Sequence, residues 1–183
     1  MTTKTPSALK AQKILKSGGV IAFPTETVFG IGALLSKPKA IRQIYKIKKR
    51  PRGKPLQVLV ASLKQAKELG KFNAQAEKLA KKSWPGPLTL VVYKTAKVSK
   101  LITGGTNKVG LRIPAHRTVL KLIRVVGPIV ATSANEAGES PALTSKEIKK
   151  RLPAIKFVLP GRPKLGKASQ VIDTTSAFKL IRR

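Results

Sequence analysis

Short apolar segments alternate with amphipathic segments along nearly the whole chain, and this alternation constrains the fold more than any other feature. The apolar segments have the length and β-branched content of buried strands, whereas the amphipathic ones repeat their apolar residues at helical spacing. The two kinds do not form strict βα repeats, because several predicted strands follow one another late in the chain. The pattern therefore predicts the α/β class, with helices packed on a mixed sheet.

The individual elements follow from capping residues and breakers. The apolar segments predict strands at 19–23, 55–61, 88–94, 108–114, 128–134, 157–160, 170–175 and 178–183. The amphipathic segments predict helices at 7–19, 39–49, 62–72, 74–84, 117–127 and 145–152. Ser7 and Ser62 are predicted N-caps, and the single histidine, His116, is predicted to have a structural or capping role. Residues 94–108 contain two adjacent glycines and predict a mobile loop.

No repeat, low-complexity tract or linker divides the sequence. The chain has 183 residues, of which 42% are hydrophobic, which is enough to build a core. We therefore expect residues 1–183 to form one domain.

The charge is strongly unbalanced. Lys and Arg number 38 against 7 Asp and Glu, which gives a formal net charge of +31. Such an excess attracts polyanions in a salt-dependent way, nucleic acid being the first candidate and an anionic membrane surface the second. A lysine-rich proteome would produce the same excess, so the charge alone does not assign a function.

The composition excludes several kinds of catalytic site. The chain has no cysteine, which excludes disulfides, thiolate catalysis and cysteine-ligated metals. With one histidine and one aspartate, a Ser-His-Asp triad or a histidine-rich metal site is not expected. Backbone amides, hydroxyls, Lys and Arg remain, and these groups bind phosphates and carboxylates. The sequence contains no apolar run that spans a bilayer and no signal peptide, so a cytoplasmic protein is expected.

Three predicted strands begin or end in small polar residues. GVIAF runs into Pro24 and Thr25-Glu26-Thr27, PIVA runs into 132–135, and Ser169 precedes QVID. Ligands of open α/β sheets bind beyond the carboxyl ends of strands. Hydroxyls and an amide at one rim favour a pocket for an amino acid or a nucleotide, although such residues also serve as caps.

Two cationic features stand out, a cluster of Lys and Arg after a predicted helix and a single arginine within a predicted strand. In KIKKRPRGKP, Lys48 shares a helix face with Ile41 and Ile44, and Lys48 and Arg50 lie two apart before a proline, where both can face one anion. Arg112 lies in the apolar segment VGLRIP and needs a partner if it is buried. A solvated basic surface is the alternative for the first group, and exposure to solvent is the alternative for Arg112.

Several motifs occur together in one order: PTETVFGIGA, KKRPRGKPLQVLV, WPGPLTLVV, VGLRIPAH and ATSANEAGESP. With them the chain resembles the YrdC-like family of threonylcarbamoyl-AMP synthases over roughly residues 8–182. The resemblance implies a twisted mixed sheet flanked by helices. It also implies an enzyme, a nucleotidyltransferase that makes threonylcarbamoyl-AMP and pyrophosphate from L-threonine, bicarbonate or CO₂, and ATP with Mg²⁺.

The resemblance extends to partners. A separate transferase would pass the threonylcarbamoyl group to position 37 of tRNA, and members have been linked to double-stranded RNA. No protein-held metal and no membrane contact are implied. The chain looks like the short form of the family, and Gln170 departs from the small hydroxyl residue that is more usual after the serine.

The resemblance also assigns roles to nine residues. It implies that Lys48 and Arg50 are catalytic and line the phosphates and the carbamoyl group. It implies contacts with L-threonine for Thr25, Arg112 and Ser169. It implies contacts with ATP for Lys48, Arg50, Thr132, Ser133, Asn135 and Arg182.

Two other functions fit part of the sequence. One is a non-catalytic basic module of the same fold that binds double-stranded RNA or tRNA, which the net charge of +31 favours. An aromatic content of 4% argues against recognition of single strands by base stacking. The other is the carbamoyl-transfer module of hydrogenase-maturation proteins, which are much larger and have cysteine-rich zinc segments that this chain lacks.

Overall fold

The computed structural model describes residues 5–135, 139–176 and 179–182. The helices are α1 Pro6–Lys16, α2 Pro38–Ile47, α3 Leu63–Leu69, α4 Ala74–Ser83, α5 Lys100–Thr103, α6 Arg117–Val126 and α7 Ser145–Arg151. The strands are β1 Ile21–Pro24, β2 Phe29–Leu34, β3 Gln57–Leu59, β4 Gly70–Lys71, β5 Leu88–Lys94, β6 Lys108–Arg112, β7 Ile129–Ser133, β8 Gln170–Asp173 and β9 Lys179–Arg182.

The strands form one mixed sheet. Their order is β1-β2-β7-β3-β6-β5-β8-β9, and β4 pairs with β5 beside this path. The pairs β3 with β6 and β5 with β8 are parallel, and the other pairs are antiparallel. The expected fold class, an α/β fold with helices on a mixed sheet, is confirmed.

Helices cover both faces of the sheet. On one face, α1 and α6 bury Leu15 and Ile123 against residues such as Phe23 and Ile129. On the other face, α2, α3, α5 and α7 pack on alternate strand residues such as Val58. Helices α1 and α6 cover only part of their face of the sheet. The part of that face formed by β3, β6, β5 and β8 is open and holds a cavity.

Strand β2 was not predicted from the sequence. The segment FGIGAL contains two glycines, which are poor strand residues. A Cβ at Gly32 would lie 2.8 Å from the carbonyl oxygen of Val130 and 3.0 Å from the ring of Phe23. Only glycine therefore allows β2 to sit between β1 and β7 at this point.

Three further predictions need correction. The N-cap of α1 is Thr5 rather than Ser7, because Pro6 occupies the first helical turn and Thr5 Oγ1 accepts from the amide of Ala8 at 3.4 Å. Residues 157–160 make only a bridge between Val158 and Ala22 and form no strand. The segment predicted to be a loop contains α5, which ends at Gly104 with φ of 61°.

One further prediction concerns the start of α6. The predicted cap role of His116 is confirmed, since its Nδ1 accepts from the amide of Val119 at 3.5 Å at the start of α6. Among the helices that the structure describes, none has the length and apolar character needed to cross a bilayer.

Candidate functional site

A cavity of about 390 Å³ lies on the open part of the sheet. Strands β3, β5, β6, β7, β8 and β9 each contribute lining residues, so most of its wall is rigid sheet rather than loop. Six of the nine residues expected at a substrate site line it: Arg50, Arg112, Thr132, Ser133, Ser169 and Arg182. The other three, Thr25, Lys48 and Asn135, lie behind the wall and are buried.

Arg112 has the buried partner that the sequence required. Its Nη2 donates to Glu26 Oε1 at 2.7 Å and to Thr27 Oγ1 at 3.0 Å, and its Nε donates to the carbonyl of Gly86 at 3.0 Å. The side chain is 2% exposed. Three contacts from two segments therefore fix the guanidinium, and within the described residues they leave Nη1 for a ligand.

Thr25 closes the turn after β1 rather than facing the cavity. Its hydroxyl donates to the carbonyl of Val28 at 2.7 Å, so the 2.7 Å contact with Thr27 Oγ1 has the Thr27 hydroxyl as its donor. Thr27 then accepts from Arg112 and lines the cavity. The sequence pointed to Thr25, but Thr27 is the threonine of this motif that reaches the cavity.

Lys48 holds the chain that follows β7. Its Nζ donates to the carbonyl oxygens of Ser133 at 2.6 Å and Asn135 at 2.5 Å, and it lies 3.3 Å from Asn135 Oδ1. Burial lowers the pKa of Lys48 to about 8; the charge of Arg50 also lowers it, and Glu139 opposes the shift. Lys48 thus fixes Ser133 and Asn135 from behind the cavity wall.

Arg50 and Arg182 give the cavity its positive charge. Arg50 donates to the carbonyls of Lys54 at 3.2 Å and Pro55 at 2.9 Å, and Arg182 donates to the carbonyl of Ser169 at 2.9 Å. Neither is paired with a carboxylate in the described parts of the chain. Burial lowers the pKa of Arg182, and the nearby charges of Arg112 and Arg50 lower it further. This crowding of cations favours an anionic ligand.

Two cavity residues were missed although the sequence contained a signal for them. Gln57 in β3 and Thr89 in β5 are polar residues inside apolar segments, the same pattern that singled out Arg112. Thr89 Oγ1 lies 2.9 Å from Gln57 Oε1 and 3.0 Å from Ser169 Oγ.

An ion pair occupies another part of the wall. Lys108 Nζ lies 2.8 Å from Asp173 Oδ2, and Thr175 donates to Asp173 Oδ1 through both its amide and its hydroxyl. Burial raises the pKa of Asp173, but the hydrogen bonds from Lys108 and Thr175 outweigh burial and leave the pKa below its usual value. Within residues 5–135, 139–176 and 179–182, no three His, Cys, Asp or Glu side chains form a group that could hold a metal ion.

The chain is similar to known proteins in both sequence and structure. A family model named for Sua5, YciO and YrdC, with the description telomere recombination, matches residues 13–183. A threonylcarbamoyl-AMP synthase of Pyrococcus abyssi is 41% identical over 169 residues, which are 90% of this chain and 50% of that protein. A threonylcarbamoyl-AMP synthase of Psychromonas ingrahamii is 40% identical over 144 residues, which are 76% of this chain and 75% of that protein.

A solved structure agrees with the sequence match. The crystal structure of P. abyssi Sua5 complexed with L-threonine superposes with a TM-score of 0.91 and 38% identity. The match covers 96% of this chain and 53% of that one, so this chain spans about half the length of the P. abyssi protein. The ordered motifs, the mixed sheet and the family model all agree, and the chain belongs to the Sua5/YciO/YrdC family.

Proposed function

We propose that this chain is an L-threonylcarbamoyladenylate synthase, a nucleotidyltransferase that joins L-threonine, CO₂ or bicarbonate, and ATP. One observation carries the proposal: Arg50, Arg112 and Arg182 line the same cavity as the hydroxyls of Ser133 and Ser169. Carboxylate and phosphate groups are well bound by arginine, and the hydroxyls suit an amino acid or a sugar. The similarity to threonylcarbamoyl-AMP synthases and to a threonine complex supports the same function.

L-threonine would bind beside Arg112 and Ser169. The Nη1 group of Arg112 has no acceptor in the described residues, whereas its other donors are held by Glu26, Thr27 and Gly86. A guanidinium fixed in this way can meet a carboxylate without reorganising. Thr25, the third residue expected here, would act by holding Thr27, to which it is hydrogen-bonded.

ATP would bind at the end of the cavity near Arg50 and Arg182. Thr132 and Ser133 end β7 there, with Lys48 and Asn135 directly behind them. Mg²⁺ would arrive on the nucleotide phosphates, since Asp173, the carboxylate of the cavity wall, is already held by Lys108 and Thr175.

The chemistry proceeds in two steps. The neutral amine of threonine attacks the carbon of CO₂, and the nitrogen then gives its proton to water, which leaves a carbamate. A carbamate oxygen then attacks the α-phosphorus of ATP. The bond between that phosphorus and the oxygen bridging the α- and β-phosphates breaks, and pyrophosphate leaves with the bridging oxygen. Arg50 and the cationic surroundings that Lys48 supplies stabilise the charge that builds on the phosphoryl oxygens.

The product would serve a second enzyme. A downstream transferase would move the threonylcarbamoyl group to tRNA. Both reactions would take place in the cytoplasm. A non-catalytic module for tRNA or double-stranded RNA is the other function that the charge of +31 suggested. The arginine-lined cavity and the similarity to synthases favour the enzyme.

The test is pyrophosphate release from ATP and Mg²⁺, with threonine and bicarbonate omitted in turn. We expect release only when both are present, together with a product of the mass of threonylcarbamoyl-AMP. Lys48→Ala should abolish release, whereas Lys46→Ala, which changes an exposed lysine in the last turn of α2, should not. Absence of release under every condition, with tight salt-sensitive binding of double-stranded RNA, would replace the enzyme by the binding module.

A further inference from the structure

A chain of hydrogen bonds crosses the sheet side of the cavity. Thr89 Oγ1 lies 2.9 Å from Gln57 Oε1 and 3.0 Å from Ser169 Oγ. Arg182 Nη2 donates to Ser169 Oγ at 3.2 Å. All four residues line the cavity, and together they join β3, β5, the start of β8 and β9.

Gly110 allows the first of these contacts. It lies on β6 between β3 and β5, and it is the register partner of Gln57 and of Val91. A Cβ at Gly110 would lie 3.1 Å from Thr89 Cγ2 and 3.7 Å from Gln57 Cβ. The two side chains therefore meet above the strand that separates them because that strand has no side chain there.

The hydrogen bonds have a fixed direction. The carbonyl oxygen of the Gln57 amide can only accept, so the single proton of Thr89 goes to Gln57. Ser169 must then donate its own proton to Thr89. Since Arg182 donates to Ser169, the Ser169 oxygen offers a ligand a lone pair and no proton.

We propose that Gln57 is a positioning residue that selects a hydroxyl-bearing amino acid by fixing Ser169, through Thr89, as an acceptor. This inference rests on the proposed function, in which Ser169 contacts L-threonine. The threonine hydroxyl would donate to Ser169, which is buried with a relative exposure of 2%. An amino acid without that hydroxyl leaves the lone pair buried and unpaired, which costs binding free energy.

The experiment measures kcat/KM for L-threonine and for L-2-aminobutyrate, which differs by the absence of the hydroxyl. Gln57→Met keeps the length of the side chain and removes the acceptor, and Thr89→Val keeps the shape and removes the relay. Each should lower the preference for threonine by about tenfold, because Ser169 is then free to turn its proton toward the ligand. Thr89→Ser keeps a hydroxyl and should retain the preference.

A second measurement separates this role from a general structural effect. The KM for ATP should stay within about twofold of wild type in all three variants, since the substituted residues lie on the side of the cavity proposed for the amino acid. An unchanged preference in Gln57→Met and Thr89→Val, with pyrophosphate release from threonine intact, would overturn the inference and leave the proposed function standing. Release with no amino acid at all in the wild-type protein would overturn the proposed function itself.

Discussion

Arg112 on β6 and Glu26 after β1 form a buried ion pair, with Nη2 of the arginine 2.7 Å from Oε1 of the glutamate. The side chains are 2% and 8% exposed. The other oxygen of Glu26, Oε2, is also buried and has no hydrogen-bond partner in the described part of the protein. The pair fixes the cavity arginine to the turn that follows the first strand.

Removing one partner should destabilise the fold strongly. Glu26→Ala leaves the Arg112 cation buried without compensation, and we expect the free energy of unfolding to fall by about 3 kcal/mol. Glu68→Ala is the matched control, because Glu68 is 3.5 Å from Lys97 in an exposed pair that should contribute about 0.5 kcal/mol or less. Urea denaturation measures both, and equal losses would show that Arg112 does not depend on Glu26.

Arg50 and Arg52 are two residues apart in the sequence but differ in their relation to the cavity, so their variants form a matched pair. Arg50 lines the cavity, whereas Arg52 is exposed. If Arg50 contacts phosphate, Arg50→Gln should raise the KM for ATP by about tenfold or more, because a hydrogen bond to a charged group is lost. Arg52→Gln should leave the KM unchanged, and a similar rise in both variants would point to the general field of the basic surface instead.

Gly110 should be intolerant of side chains for reasons of function rather than stability. Its backbone is not in the left-handed region, so a side chain adds no strain of that kind. A valine would enter the cavity between Gln57 and Thr89, and we expect kcat/KM for threonine to fall by about a hundredfold through misplacement of the substrate.

The control for this variant is Gly53→Ala. A Cβ at Gly53 would meet nothing within 4 Å, so activity should be retained. Thermal unfolding should show Gly110→Val folded at the temperature of the assay. Full activity in that variant would mean that the substrates do not use this part of the cavity.

The lowered pKa of Lys48 predicts a pH dependence. Because that pKa is about 8, the ammonium is lost as the pH rises through about 8, and the KM for ATP should rise between about pH 7 and pH 9. Lys48→Arg should remove this rise, since a guanidinium stays charged throughout. The neighbouring groups to account for are Arg50, whose charge lowers the pKa, and Glu139, whose charge raises it.

Unfolding does not explain such a loss of affinity. Between about pH 8 and pH 10.5 the unfolded chain holds the Lys48 proton and the folded chain does not, so this group makes stability rise with pH. The KM and the thermal unfolding temperature should be measured over the same range. If the KM of Lys48→Arg rises as in wild type, another group controls nucleotide affinity.

The sequence predicted buried site residues best at positions where a charged residue interrupts an apolar helix face or an apolar strand. Lys48 shares a helical face with Ile41 and Ile44, and the structure buries all three. Arg112 interrupts an apolar strand, and the structure supplies its partner. In each case the cost of burying a charge makes a single residue informative.

The remaining features depend on tertiary structure. Strand β2 was missed because Gly32 is poor in isolated strands and is required only once Val130 and Phe23 pack around it. Thr25 and Thr27 are the same residue type in the same motif, so the sequence does not distinguish them. The conformation of the turn after β1 determines which one faces the cavity. Local propensity therefore predicts neither strand β2 nor which of the two threonines faces the cavity.

Four polar residues of the cavity, Gln57, Thr89, Arg112 and Ser133, lie on strands of one hydrogen-bonded sheet. Their spacing is set when the strands pair, so ligand binding orders little that folding has not already ordered. The same construction makes the site sensitive to register. A slip of β3 or β5 by one residue would turn Gln57 or Thr89 to the opposite face of the sheet. Under the proposed function, substrate selectivity would depend on backbone alignment as much as on side-chain identity.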